Sequence, residues 1–289
     1  MRAKIIIILF LVVFVGVCVS ATPVWMRLTM PRSAVDHALG GAFPTQLNNP
    51  AFLCDAKLSA RASYMIRFGG ETENNLFASY RTGNLGFFSN LGINSVSDIE
   101  ARTHATEKPD YIFAARRFDF TLGASAYVGK SIRVGASVKY VYEKVEFFRA
   151  EGVLWTLGAL AERDRLWFGA TLENVGKKIK MKEFYYSPPQ ILRSFIGYKL
   201  GFAAVGLSYC YLPEAPDFAA LGAKFSPLEQ LRLYGSFVFP HDSRSFALGM
   251  SFLWRDFSVN YSIASMKNLG VAHNFGISYS YDRKISSNK

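Results

Sequence analysis

The sequence predicts an all-β chain: a transmembrane antiparallel up-and-down β-barrel of about 14 strands behind a short N-terminal segment. Three observations carry this. Strict period-two alternation runs through Phe118–Val175; in its first strand Phe118, Phe120, Leu122, Ala124, Ala126 and Val128 share one face and Asp119, Thr121, Gly123, Ser125 and Tyr127 the other. The alternating runs are roughly ten residues long, more than the usual five or six of soluble strands and the length that a tilted strand needs to cross a bilayer. The chain also opens with an export signal, after which no apolar run approaches the roughly eighteen residues of a membrane helix. Alternation alone would also suit a soluble β-sandwich, and it is the strand length that favours the barrel.

Composition agrees with one large β domain. Of 289 residues, 50% are hydrophobic and 15% aromatic, with no break in composition along the chain. The formal charge of +11 is scattered over strands and loops instead of clustering on one stretch, which argues against a nucleic-acid footprint.

Taken in order, Met1–Ala21 is a secretory signal peptide: basic Arg2 and Lys4, an apolar core Ile5–Val19 and a small-residue cleavage site Val19-Ser20-Ala21. Cys18 lies inside it, and Val17 stands where a lipidation box wants a small residue. Cys54 and Cys210 are far apart, one before the first strand and one within a strand, so a disulfide is not expected. Residues 22–56 form a pre-barrel, plug-like segment punctuated by Gly40-Gly41 and Asn49-Pro50-Ala51, with a helical turn at Ser33–Leu39. Pro50 fixes its own φ and pushes Asn49 out of the helical region, so the chain turns there. Two roles fit. The segment either feeds the chain into the first strand, or folds into the lumen with Phe43, Phe52 and Leu53 as its packing surface.

Residues 57–289 then form the outer-membrane β-barrel. Strands are expected at Lys57–Phe68, Asn75–Arg81 and Asn84–Ile93, followed by a polar loop from Asn94 to about Asp110, the four strands of the central stretch, a loop Gly176–Gln190, and seven more strands ending at Val271–Tyr281. Connections alternate. The tight ones (Thr82-Gly83, Gly129-Lys130, Arg163-Asp164, Gly201, Ser226–Glu229, Arg255-Asp256) fall on one end and both long loops on the other, which places the tight turns and both termini in the periplasm. Trp155, Trp167, Tyr198, Tyr211, Trp254 and Tyr281 are candidates for the aromatic girdles.

No enzyme chemistry emerges. His37, His104, His241 and His273 read as surface or interfacial residues, no His/Cys cluster has zinc spacing, and no Gly-rich phosphate cradle follows a strand. Asp98, Glu100, Glu107 and Asp110 lack calcium-loop spacing. No catalytic, metal or cofactor site is therefore expected, and no cofactor. The one polar constellation is on the lumen side of the strands: Arg61, Arg81, Asp119, Arg133, Lys139, Glu143, Glu173, Arg193, Lys199, Lys224 and Arg232. Such charges either pair across the interior or line a solute path, and pairing is the preferred reading.

Several stretches resemble the PorV/PorQ family of FadL-like outer-membrane barrels associated with type IX secretion. They are Asn49-Pro50-Ala51 with its Gly-rich lead-in, Ser97-Asp98-Ile99-Glu100-Ala101-Arg102, Gly135–Lys144, Leu172-Glu173-Asn174-Val175-Gly176 and Ala272-His273-Asn274-Phe275. The resemblance spans nearly all of the mature chain. It departs from the pattern at Thr156-Leu157-Gly158, where the family has Asp-Leu-Gly, and at Ser187-Pro188-Pro189 in place of Leu-Pro. It implies a non-enzymatic, monomeric barrel in the bacterial outer membrane that serves protein secretion or surface attachment. Its partners would be membrane lipid, secreted cargo proteins or other secretion components, with no nucleic acid. The alternative is FadL-like transport of hydrophobic small molecules.

Overall fold

The computed structural model describes Leu28 and residues 31–53, 56–104, 107–213, 215–239, 246–266 and 270–282. The expected signal peptide, Cys54, His241 and the cleavage site lie outside the described residues.

Fourteen antiparallel strands close into a barrel. In chain order the strands are β1 (Leu58–Ile66), β2 (Thr72–Thr82), β3 (Leu85–Ala101), β4 (Tyr111–Tyr127), β5 (Ile132–Val145), β6 (Phe148–Arg163) and β7 (Leu166–Gly176). A small hairpin of β8 (Ile179–Met181) and β9 (Phe184–Tyr186) stands apart from the barrel. The barrel continues with β10 (Ile191–Lys199), β11 (Ala203–Tyr211), β12 (Phe218–Leu228), β13 (Leu231–Phe239), β14 (Phe246–Trp254), β15 (Phe257–Met266) and β16 (Gly270–Tyr281). Each strand pairs with its neighbour in sequence, apart from β7 with β10, and β1 closes on β16 from Leu58↔Tyr281 to Ile66↔His273. Closure leaves no sheet edge, which is what allows strands to cross a bilayer at all.

Alternation is obeyed throughout. One face of the wall is an apolar belt that includes Leu76, Phe120, Trp155, Leu221, Phe252 and Ile277, all exposed on the outside. So continuous an apolar surface is sustained in lipid and not in water. The opposite face turns Asn90, Asp119, Thr171, Ser208, Ser262 and Asn274 inward, where they are buried.

Three expectations are corrected. The polar loop expected from Asn94 is mostly strand, because β3 and β4 stay paired from Val96↔Ala115 to Ala101↔Tyr111 across a bulge at which Asp98 takes φ 57°. The hairpin continues past its neighbour here, since β2 ends its pairing with β3 at Thr72↔Ser95, and Ser97, Asp98 and Glu100 gave the stretch its loop-like composition. The loop Gly176–Gln190 contains the β8–β9 hairpin, whose Ile179 is buried with Val141, Leu154 and Leu28. Trp167 is not a girdle residue. It sits on the lumen side of β7, 6% exposed, with its indole filling the space over Gly197.

Candidate functional site: the lumen and the segment inside it

The N-terminal segment lies within the barrel. Ser33 caps a short helix, α1 (Ala34–Ala38), by accepting a hydrogen bond from the Asp36 N–H at 3.1 Å. The helix is too short to be stable alone and is held by contacts with β13, β14, β15 and β16. His37, expected at a surface, is 4% exposed, its Nδ1 3.0 Å from the Ser262 hydroxyl. Gly40 and Gly41 then turn the chain with φ of 63° and 83°.

From there the segment follows the inner wall, and inward-facing glycines make the room. A β-carbon on Gly249 would lie 2.5 Å from that of Ala38, and one on Gly222 would lie 2.8 Å from that of Ala42. The Phe43 ring lies over Gly206, 5.4 Å from the Trp167 ring centroid, with the Lys224 ammonium 4.4 Å from its own. Asn48 closes a local turn, accepting from the Thr45 N–H at 2.7 Å and donating to the Phe43 carbonyl at 3.1 Å. Leu53 fills the space over Gly86. In angular order the contacts therefore run from β16 backwards to β3, one circuit of the wall.

Asn49-Pro50-Ala51 forms the most enclosed part of this circuit. Asn49 is fully buried; its Nδ2 donates to the Ala159 carbonyl at 3.2 Å and its Oδ1 accepts from the Ala51 N–H at 3.0 Å. Gly158, Gly169 and Gly135 receive its side chain and the Pro50 backbone. Of the apolar residues expected to pack here, Phe43 and Leu53 are buried and Phe52 partly so.

The eleven expected lumen charges all lie on the inward face, but they do not form one group. Asp119 pairs with Arg32 of the segment, both nearly inaccessible. Arg193 donates to Glu173 at 2.6 Å, and Lys139 donates to the Asn174 carboxamide at 3.0 Å. Glu143 is buried between these strands. Nearer the tight-turn end, Arg133 and Lys199 share Glu162, with Lys199 itself about half exposed. Arg133 and Arg81 flank the Tyr127 ring, and Arg61 lies 4.2 Å from the Phe77 centroid. Arg232 is half-buried on β13. A cavity of about 50 Å³ remains between segment and wall, lined by Arg32, Asp36, Thr121, Lys139, Glu173 and Arg193 among others. It holds a few water-sized molecules and no larger solute.

Sequence reasoning missed Arg32, Arg67, Glu73, Arg117 and Asn174. Arg67 donates to Glu71 and Glu73, both at 2.8 Å, on the long-loop side. Arg117 continues the alternation of Asp119 one step beyond the expected strand start, so a longer reading of β4 would have found it. Asn174 enters the lumen through a bulge opposite Trp155–Leu157, with φ 58°; an Asn–Val–Gly run within a strand is the signal, since asparagine tolerates that backbone. No sequence signal marks Arg32.

No protein-family model and no curated protein sequence matches the chain. Among solved structures it is similar to the Pseudomonas putida toluene transporter TodX, at 13% identity and a TM-score of 0.61, over 86% of this chain and 98% of that one. It is also similar to the TodX deltaS2S3 mutant monoaromatic hydrocarbon channel, at 13% identity and a TM-score of 0.60 over the same shares. At such identity the likeness is one of fold: the chain has the architecture of a fourteen-stranded outer-membrane barrel.

Proposed function

We propose that this is a non-enzymatic barrel of the bacterial outer membrane that acts in protein secretion or in attaching exported proteins to the surface, as PorV/PorQ-like barrels do. One observation carries this reading: residues 31–53 line the inner wall from β16 back to β3, and the cavity between them and the wall at Arg32, Lys139, Glu173 and Arg193 is small and charged. A barrel lined in this way offers its outer end as its working surface. There the β3–β4 hairpin continues past the end of β2, and Phe147, Phe184 and Tyr185 stand 79%, 63% and 62% exposed, with Lys180 over the Tyr185 ring and Lys182 over that of Phe148. Capture from intact cells tests it. The tagged barrel is crosslinked and its partners identified; a defined set of exported proteins is expected, and their absence together with uptake of an apolar solute would overturn the reading.

The second reading is passage of small hydrophobic molecules, and it draws equal support. The fold is shared with a hydrocarbon channel over nearly the whole chain. The wall between β1 and β3 also carries an apolar depression of about 550 Å³ whose floor is Ala60, Ala62 and Ala78. In this reading the segment is a gate, and deleting residues 22–53 raises single-channel conductance in planar bilayers. A truncated barrel that assembles and conducts no better than the intact one removes the gate.

A further inference from the structure

We propose that the outward face of β4, β5 and β6 binds the phosphorylated headgroup of an outer-leaflet lipid through Arg116, Lys144 and Arg149. Strand register places Arg116 opposite Lys144, and Lys144 opposite Arg149, so three cations stand in one row across adjacent strands. Directly opposed side chains have β-carbons about 4.5–5.5 Å apart, a separation at which like charges repel. All three are exposed, whereas Arg117, Glu143 and Ala150 beside them are buried on the lumen side. Among the described residues none of the three side chains makes a hydrogen bond or an ion pair. Two carboxylates lie nearby, neither directly opposite a cation: Glu146 in the β5–β6 turn accepts from the Tyr111 hydroxyl, and Glu151, one row below on β6, accepts from that of Tyr140 at 2.7 Å. The three cations outnumber the two nearby carboxylates and face one another directly, so an external anion laid against the row relieves the repulsion between them.

Its height names the anion. The next outward row holds Phe118, Tyr142 and Glu151, the one after it Phe120, Tyr140 and Val153, and then come Leu122, Val138 and Trp155 of the apolar belt. Aromatic rows of this sort mark the membrane interface. Two residues of strand advance about 6.8 Å, so the cations stand one step above that interface, at headgroup level, facing the surrounding lipid and not the lumen. Two of the three are arginines, whose planar donors fit phosphate oxygens in pairs. The row lies at the end opposite the tight turns, which is the outer leaflet in the orientation that connection lengths predict.

The test uses the intact mature barrel in detergent with diphosphoryl lipid A as probe, bound complexes being counted by native mass spectrometry. Substituting Arg116→Ser, Lys144→Ser and Arg149→Ser together is expected to weaken binding by about tenfold or more, while Lys177→Ser with Lys178→Ser leaves it unchanged. Retained binding in the triple variant overturns the proposal, as does full competition by inorganic phosphate at the same concentration, which would mean a site for free anions. Lys144→Ser alone gives a second reading that does not depend on the triple variant folding. Without lipid it relieves repulsion and raises the melting temperature; with lipid A present the order reverses. A melting temperature unchanged or lowered in lipid-free detergent also overturns the proposal.

Discussion

A β-carbon on Gly135 would lie 2.3 Å from both the carbon and the oxygen of the Pro50 carbonyl. Neither partner is the movable end of a side chain, so the wall and the segment meet backbone to backbone. Gly135→Val cannot be accommodated with the segment in place. The expected result is a barrel that still shows heat-modifiable gel mobility but in which protease reaches residues 45–53. Continued protection of that stretch would show that the wall yields instead.

Arg32 and Asp119 are joined within the lumen, so removing one strands the other. Arg32→Ala leaves a buried carboxylate and is expected to cost about 3–5 kcal/mol in denaturant unfolding from detergent. Asp119→Asn combined with Arg32→Met removes both charges and should recover most of that loss. A double variant no better than Arg32→Ala would mean that the pair is not the coupling between segment and wall.

Phe43 and Phe52 separate burial from composition. Phe43 is 4% exposed against Trp167, and Phe43→Ala is expected to cost about 3–5 kcal/mol. Phe52 is only partly buried, and its alanine variant should cost clearly less in the same unfolding experiment. Equal losses would contradict the packing.

At the tip of the β3–β4 hairpin, the Thr103 N–H and hydroxyl donate to Asp110 at 2.6 and 2.8 Å, and the backbone bond first and then the hydroxyl bond hold its carboxyl below the usual carboxylate range. A depressed folded value means that this stabilisation is present above the ordinary carboxylate pKa and is lost as pH falls through the depressed one. Protection of the Thr103 amide from hydrogen exchange should therefore be flat from neutral to mildly acidic pH and fall only in stronger acid. Asp110→Asn should weaken it at every pH.

The fold was legible because a wall between lipid and a polar interior imposes period two along its strands, and connection lengths alternate with it except at the two-residue β5–β6 turn Glu146-Phe147. Where the environment changes, the signal fails: residues 94–101 and 111–116 are strand, but Asn94, Ser95, Ser97, Asp98 and Glu100 break the apolar–polar alternation on the first and Ile112, Phe113, Ala114 and Ala115 run on without alternating on the second. Parity alone puts the expected lumen charges on the polar side of their strands, yet their partners were not readable. Asp119 pairs with Arg32, 87 positions away in the chain, and nothing in local pattern links them. The segment itself was visible as a Gly- and Pro-rich stretch. That it circles the wall depends on glycines such as Gly86, Gly158 and Gly249, which in sequence are only small residues on the polar face.

The circuit that residues 31–53 make also bears on how the molecule assembles. The helix α1, near the start of the segment, rests on β13–β16, which are the last strands of the barrel in the chain. Its contacts are thus long-range in sequence, and the loop-closure entropy they cost is repaid only once those last strands are in place. The interior packing is a late event that follows formation of β13–β16. A barrel with a frayed β1–β16 seam would leave α1 without its seat, so order in the segment reports, from inside, that the wall is complete.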